Sequence, residues 1–276
     1  MQENTINNEI DFKSLGNKKV LVVEDMELNQ WLAKQILTSW GFEVVIVNNG
    51  YEALEVLAQN DFDCILMDVQ MPEMDGIEAT KQIRQLHDPL KASIPIIALT
   101  AHTLKENREK YVAAGMNDYV SKPINESKLF LAICRNFEKN SLTNSIDRKM
   151  ETFHHKNGGT PSSGKKLYDL TMVESISGGD QAFIKKMVEL FIHTVPQNVQ
   201  ELNNGLQTQN WDQVAKMAHK LKSTIDSMGI TTIREDIRAV EANAKQKKHL
   251  HEMAVLIQKI QTVIGSCSEQ LQADIN

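Results

Sequence analysis

The spacing of hydrophobic positions divides the chain into two parts. Between residues 18 and 137, short apolar runs alternate with longer segments in which apolar side chains recur every three or four positions. The short runs predict buried strands, and the longer segments predict helices with one apolar face. Because strands that alternate with helices form a parallel sheet covered on both faces, this part is predicted to be an α/β domain.

A stiff loop is predicted after the third strand of this domain. The strands are predicted at residues 18–23, 42–47, 64–67, 94–99 and 118–120, and the helices at 27–40, 51–59, 75–87, 104–114 and 126–137. Asp68 ends the third strand, and Pro72 then prevents an immediate helix. Asp75 is the predicted N-cap of the third helix, with Glu78 three residues later as in a capping box.

From residue 167 onward, every segment has helical spacing. Helices are predicted at residues 180–194, 196–207, 211–228, 231–246 and 249–271. Their short connections favour a helical bundle. Pro196 is predicted to begin a new helix, because a proline in the first turn costs little.

Residues 140–166 differ from both parts. They are rich in Ser, Thr, Asn, Gly and Lys, which predicts a flexible linker. The predicted organisation is a tail at 1–17, the α/β domain at 18–139, the linker at 140–166 and the bundle at 167–276.

The segment 159–166 resembles a phosphate-binding P-loop, but Lys166 stands where a Ser or Thr would hold magnesium and no strand precedes it. Nucleotide binding is therefore not expected there.

Charge and cysteine usage exclude several classes of function. The net charge of -6 lies in residues 1–164, whereas residues 165–276 hold 13 basic and 13 acidic residues. Neither part has the basic excess of a nucleic-acid-binding domain. The three cysteines are scattered, which favours reduced thiols in a cytosol over zinc or disulfides. No apolar run approaches the ~18 residues of a membrane helix, so we expect a cytoplasmic protein with no membrane segment in this chain.

Polar and charged side chains stand at the ends of four predicted strands. In chain order they are Glu24 with Asp25, then Asp68, Thr100 and Lys122. The carboxyl ends of parallel strands meet at one sheet edge, where ligands bind. Two charges ~4 Å apart interact with about 4 kcal/mol at an effective dielectric of about 20, so three carboxylates are expected to be partly protonated or to hold a cation. Oxygen ligands favour Mg²⁺, with Mn²⁺ as an alternative.

The same edge is predicted to carry a phosphoryl group. The ammonium of Lys122 and the hydroxyl of Thr100 would hold the oxygens of a phosphoryl group attached to Asp68. Carboxylates form aspartyl-phosphates by nucleophilic attack. Magnesium offsets the charge of such a transfer.

With these strand ends, residues 18–138 resemble the receiver domain of two-component response regulators. The resemblance is carried by Glu24-Asp25, Asp68, the run from Gln70 to Gly76, Leu99-Thr100-Ala101, Tyr119 and Lys122-Pro123. It implies a flavodoxin-like fold with strand order 2-1-3-4-5 and phosphorylation of Asp68. It also implies Mg²⁺ on Glu24, Asp25, Asp68 and the backbone carbonyl of Gln70, movement of Thr100 and Tyr119 on phosphorylation, and a cis bond between Lys122 and Pro123.

A candidate nucleophile, His219, lies in the third predicted helix of the bundle. At about 100° per residue it lies roughly 140° from the centre of that helix's apolar stripe, so it is predicted to point outward. Ala215 and Ser223, one turn away on either side, are small and leave the imidazole reachable. Lys216 and Lys222, three positions away, would attract a phosphate. A neutral imidazole is available as a nucleophile near pH 7.

Residues 168–275 resemble a histidine-containing phosphotransfer (Hpt) domain. The resemblance is carried by Tyr168-Asp169-Leu170, the Gly178-Gly179-Asp180 turn, Phe191 with Pro196, and the run from Ala218 to Lys222 followed by Gly229. It implies that His219 carries a phosphoryl group. Ser223 departs from the family, which usually has Gly there, and narrows the approach to the imidazole slightly.

Together the two parts predict a two-component phosphorelay protein. An upstream histidine kinase is expected to phosphorylate Asp68, and the phosphoryl group to pass through His219 to the receiver domain of another protein. No kinase core is recognisable, so the chain is expected to be a phosphotransfer module, either free-standing or the C-terminal piece of a hybrid sensor histidine kinase. An Asp-dependent phosphohydrolase is disfavoured because it needs an acid where Gln70 stands. A DNA-binding regulator is disfavoured because no helix-turn-helix pattern is present.

Overall fold

The chain divides into two compact units, the first mainly within residues 1–146 and the second mainly within residues 147–276. This computed structural model describes residues 17–101, 105–137, 166–177 and 179–275. Nearly all of the predicted tail and linker, including most of the segment that resembles a P-loop, lies outside the described residues.

A five-stranded parallel sheet forms the centre of the first unit. Its strands are β1 (Lys19–Val23), β2 (Glu43–Val47), β3 (Cys64–Asp68), β4 (Ile96–Thr100) and β5 (Asp118–Ser121). Their order is β2-β1-β3-β4-β5, and all neighbouring strands are parallel. The predicted α/β class and strand order are therefore confirmed. Asp68, at the end of the central strand, has β1 on one side and β4 on the other.

The helices of this unit follow the predicted pattern with one addition. They are α1 (Glu27–Ser39), α2 (Gly50–Gln59), α3 (Gly76–Arg84), α4 (Pro89–Ala92), α5 (Lys105–Ala114) and α6 (Glu126–Phe137). The sequence did not predict α4, and it extended α3 too far. The Asp88 carboxylate accepts hydrogen bonds from the N–H groups of Leu90 and Lys91, with Pro89 in the first turn, so a new helical turn begins there.

Burial of the central strands explains their uninterrupted apolar runs. Every residue of β3 and β4 is buried, as expected for strands covered on both faces. A Cβ atom added to Gly76 would lie 2.1 Å from the carbonyl oxygen of Asp68. Only glycine permits this close approach. The start of α3 therefore packs directly against the end of β3 and fixes the loop between them.

The second unit is a helical bundle, which confirms the predicted class. Its helices are α7 (Thr171–Ser177), α8 (Gln181–Gln207), α9 (Trp211–Ser227), α10 (Arg234–Gln246) and α11 (Met253–Ile275), with 3-10 turns at Thr231–Ile233 and Leu250–Glu252. Helix α9 packs against both α8 and α10. The sequence did not predict α7, because this short helix buries only Val173 and gives little periodicity.

The prediction of two helices separated at Pro196 is wrong. Pro196 lies inside the single continuous helix α8. A proline in a helix interior costs about 3 kcal/mol. The buried stripe nevertheless continues across it, with Val188, Phe191 and Val195 before it and Val199 and Leu202 after it. Burying an aliphatic side chain contributes about 1.5–3 kcal/mol, so packing on both sides outweighs the local cost.

Candidate functional site

Three carboxylates meet at the carboxyl edge of the sheet. Glu24 and Asp25 follow β1, and Asp68 ends the neighbouring strand β3. Each can offer an oxygen atom within 4.8 Å of the others. Glu24 is 1% exposed and Asp68 is also buried, whereas Asp25 is half-buried. The structure thus brings together the three predicted acidic residues, with Asp25 the most accessible.

Lys122 joins this cluster from the end of β5. Its Nζ atom lies 2.6 Å from Oδ2 of Asp68 and also donates a hydrogen bond to the Glu24 carboxylate. The lysine side chain is as buried as its partners. The peptide bond between Lys122 and Pro123 is cis, as the receiver resemblance implies.

Burial and charge shift the pKa values of this cluster. Burial raises the pKa of Glu24 to about 7, with Lys122 opposing the shift and Asp68 and Asp25 adding to it. Burial lowers the pKa of Lys122, but the charges of Asp68 and Glu24 outweigh it and raise that pKa above its ordinary value. The lysine is therefore a permanent cation. When all three carboxylates are ionised, one ammonium leaves negative charge unbalanced, which suits a divalent cation.

The loop after β3 places Gln70 next to Asp68. The Gln70 N–H donates a 3.1 Å hydrogen bond to Oδ1 of Asp68. The side-chain Oε1 of Gln70 is buried and has no hydrogen-bond partner among the described residues. At the far end of the loop, Asp75 accepts a 2.8 Å hydrogen bond from the N–H of Glu78, as its predicted capping role requires.

The hydroxyl of Thr100 contacts an aromatic residue that the sequence did not single out. Its Oγ1 atom lies 2.8 Å from the phenolic oxygen of Tyr111 on α5, and both side chains are buried. Tyr119, the aromatic residue predicted to move with Thr100, lies on β5 and is 36% exposed. Tyr111 was missed because its only sequence signal is an apolar position in a helix.

In the second unit, His219 of α9 is bound to a carboxylate from α10. Its Nδ1 atom lies 2.8 Å from Oε1 of Glu241. One ring nitrogen of the imidazole is therefore engaged by a neighbouring helix, which the periodicity of α9 did not predict. The periodicity of α9 identified one apolar face, but α10 packs along a further side and presents Glu241 there.

Glu241 is the centre of a buried ionic network. Besides His219, its carboxylate accepts hydrogen bonds from Lys222 at 2.6 Å and from Lys245 at 2.7 Å. Burial alone would raise the pKa of Glu241, but its hydrogen bonds to His219, Lys222 and Lys245 hold it far below its ordinary value. Glu241 is therefore a carboxylate at neutral pH. A charged residue within the apolar stripe of Ile237, Val240 and Ala244 was the sequence signal for it.

The four predicted neighbours of His219 differ in their exposure to solvent. Lys216 is exposed. Lys222, which was predicted to attract a phosphate, is only 4% exposed and is paired with Glu241. Ala215 and Ser223 are buried. Lys222 faces inward because position 222 lies three residues beyond His219, on the same α10-facing side of the helix.

Two family models match the chain, one in each unit. Residues 20–134 match the response regulator receiver domain, and residues 186–274 match the Hpt domain. Hybrid signal transduction histidine kinase I of Dictyostelium discoideum is 39% identical over 155 residues, covering 53% of this chain and 9% of that protein. Signal transduction histidine-protein kinase BarA of Shigella flexneri is 27% identical over 256 residues, covering 91% of this chain and 27% of that protein. The chain thus spans about a quarter or less of these relatives.

Solved structures also resemble the first unit. The receiver domain of sensor histidine kinase PA1611 from Pseudomonas aeruginosa PAO1, which has a magnesium ion coordinated in its active site cleft, is 37% identical. The match covers 44% of this chain and 98% of that chain, with a TM-score of 0.41.

Among the described residues, no helix combines the length and apolar character needed to cross a membrane.

Proposed function

Because the chain belongs to the phosphorelay proteins of two-component signalling, with a receiver domain at residues 20–134 and an Hpt domain at 186–274, we propose that Asp68 and His219 are its successive phosphoacceptors. A histidine kinase would phosphorylate Asp68, and His219 would pass the group to a receiver domain of another protein. The observation that carries this proposal is the contact of Asp68 with Lys122 beside two further carboxylates.

The surroundings of Asp68 suit attack on phosphorus. One carboxylate oxygen accepts from the Gln70 N–H and the other from Lys122. One of these oxygens forms the new O–P bond while the N–P bond of the donor phosphohistidine breaks. The Lys122 ammonium and the Thr100 hydroxyl then stabilise the phosphoryl oxygens, as fixed charges and donors do in phosphoryl transfer.

The acidic cluster fits magnesium, and manganese has the same preference for oxygen ligands. We assign the ion to Glu24, Asp25 and Asp68 with the backbone carbonyl of Gln70. Three carboxylates opposed by one buried lysine support this assignment. When bound, the ion neutralises charge on the carboxylates and on the phosphoryl oxygens.

The contact with Glu241 decides which nitrogen of His219 accepts the phosphoryl group. An ionised carboxylate can only accept hydrogen bonds, so Nδ1 of the imidazole must carry the proton shared with Glu241. This leaves the lone pair on Nε2, which is the nucleophile. As Nε2 bonds to phosphorus, the O–P bond of the phosphorylated Asp68 breaks and its carboxylate leaves, and Glu241 stabilises the positive charge that the ring gains.

The three described cysteines are buried thiols rather than members of disulfides. This supports the cytoplasmic location that we propose. The relatives are histidine kinases of which the chain matches only a part. This supports a histidine kinase core, on the same protein or on a separate one, as the donor of the phosphoryl group to Asp68.

The chemical nature of the phosphoryl bond tests the proposal. After incubation of the full chain with acetyl phosphate and Mg²⁺, we expect an acyl phosphate that hydroxylamine cleaves. It should be absent from Asp68→Asn and from wild type treated with EDTA. A wild-type level of acyl phosphate on Asp68→Asn would show that another carboxylate is the acceptor.

Replacing Glu241 should destabilise the second unit. Glu241→Ala leaves the buried Lys222 ammonium without its carboxylate, and breaking a buried ion pair costs about 3–5 kcal/mol of unfolding free energy. Urea unfolding of the full chain, followed by signals from each unit, measures the loss. Glu235→Ala, an exposed acid on the same helix, should change stability by no more than about 0.5 kcal/mol. Equal, small effects of both substitutions would mean that the network contributes little.

A further inference from the structure

A buried pair of hydroxyl groups lies beside the receiver site. Thr100 is 2% exposed and Tyr111 is 6% exposed. Their oxygens are 2.8 Å apart, and either one can be the donor. Tyr111 belongs to an apolar cluster that includes Met67 and Ala98. Tyr111 therefore packs on the face of the sheet to which these two residues point.

Strand alternation separates this face from Asp68. Successive residues of a strand point to opposite faces. Met67 lies on the Tyr111 face, so Asp68, the next residue, is directed to the other side. Thr100 shares the face of Ala98, two residues earlier. To reach a phosphoryl group on Asp68, the Thr100 hydroxyl must leave Tyr111 and turn towards the end of β3.

We propose that Tyr111 is a positioning residue that holds the Thr100 hydroxyl in its unphosphorylated orientation and thereby opposes the switch. This inference rests on the proposed function of Asp68 and Thr100. When Thr100 turns, the buried phenol hydroxyl of Tyr111 loses its partner among the described residues, and an unpaired buried hydroxyl is costly. The phosphoryl group must therefore supply enough new interaction with Thr100 to offset that loss. Tyr111 therefore sets how much interaction the phosphoryl group must make with Thr100 before the threonine hydroxyl changes its orientation.

Tyr111→Phe tests this in the full chain, because it removes the hydroxyl and keeps the ring. The probe is beryllofluoride with Mg²⁺, which mimics the phosphoryl group on Asp68, and its binding is followed by fluorine NMR. We expect Tyr111→Phe to bind beryllofluoride about tenfold more tightly, which corresponds to the loss of one buried hydroxyl contact. Tyr51→Phe, which removes the hydroxyl of an exposed tyrosine in the same unit, should bind like wild type.

A double-mutant cycle separates positioning from a purely structural role. Thr100→Val removes the threonine hydroxyl with little change of shape and should weaken beryllofluoride binding. In that background Tyr111→Phe should have no further effect, because its action passes through the Thr100 hydroxyl. Three-bond couplings of the Thr100 methyl group, which report the χ1 rotamer, should shift towards the bound-state value in Tyr111→Phe without beryllofluoride.

The outcomes distinguish this inference from the proposed function. If Thr100→Val weakens binding but Tyr111→Phe changes neither affinity nor the Thr100 rotamer, the Tyr111 inference is overturned and the role of Thr100 stands. If Thr100→Val itself has no effect, the proposed role of Thr100 fails, and the inference fails with it. Weaker binding by Tyr111→Phe, with a thermal unfolding midpoint like that of wild type, would also overturn the inference. The Tyr111 hydroxyl would then stabilise the phosphorylated orientation of Thr100 instead of the unphosphorylated one.

Discussion

His219→Gln is expected to leave phosphorylation of Asp68 intact and to abolish transfer to another receiver domain. The reason is chemical, because glutamine can accept hydrogen bonds but cannot form the N–P bond that Nε2 of His219 would form. The donor is a histidine kinase that carries a radiolabelled phosphoryl group on its own histidine. The final acceptor is a purified receiver domain. Label should accumulate on Asp68 of the variant and remain absent from the acceptor.

His193→Gln provides the matched control for this prediction. His193 is an exposed histidine on α8 of the same unit, and its replacement should not reduce transfer. Transfer at the wild-type rate by His219→Gln would exclude His219 as the acceptor. The second unit would then be a surface that binds partners without carrying the phosphoryl group.

Mixing the two phosphoacceptor variants determines the route between the sites. Asp68→Asn retains His219, and His219→Gln retains Asp68. Label that moves from the second variant to the first must pass between chains, and its rate must rise with protein concentration. In wild type we expect part of the transfer to His219 to be independent of concentration, because both sites are on one chain. Concentration dependence throughout would exclude the route within one chain.

Asp25→Asn is expected to abolish Mg²⁺-dependent phosphorylation of Asp68 without unfolding the receiver domain. Lys122 already binds both Glu24 and Asp68, and Asp25 is the most accessible carboxylate of the cluster. Removing its charge should weaken Mg²⁺ binding more than it disturbs the core. Calorimetric titration with Mg²⁺ and the rate of phosphorylation by acetyl phosphate measure the two effects.

Asp61→Asn is the control for the magnesium prediction. The Asp61 side chain is 97% exposed, and its replacement changes the net charge of the chain by the same amount. We expect wild-type Mg²⁺ binding and phosphorylation from this variant. If Asp25→Asn is phosphorylated at the wild-type rate, the assignment of magnesium to this cluster is wrong.

The sequence alone determined the parts of the molecule that depend on short-range patterns. Apolar runs and helical spacing specified both fold classes, because strand and helix periods differ. The position of Asp68 at a strand end followed from the same pattern, since parallel strands bring their carboxyl ends together. The cluster of Glu24, Asp25 and Lys122 around it could therefore be predicted from the sequence.

Predictions from the sequence missed those features that depend on packing between different parts of the chain. Pro196 looks like a helix start by local rules, but core packing on both sides carries one helix through it. The Glu241 contact of His219 could not be predicted from α9 alone, because the periodicity of that helix contains no information about the side chain that α10 presents. Glu241 lies 22 positions away from His219 along the chain.

The tertiary structure also decided which side chains surround the reactive groups. The partner of the Thr100 hydroxyl is Tyr111, a residue with no polar signature in its sequence context. Lys222, predicted only to attract a phosphate, is the buried partner of Glu241. Hydrogen bonds between side chains on different elements depend on where those elements pack. Local periodicity fixes which residues share a face, and only packing fixes what that face meets.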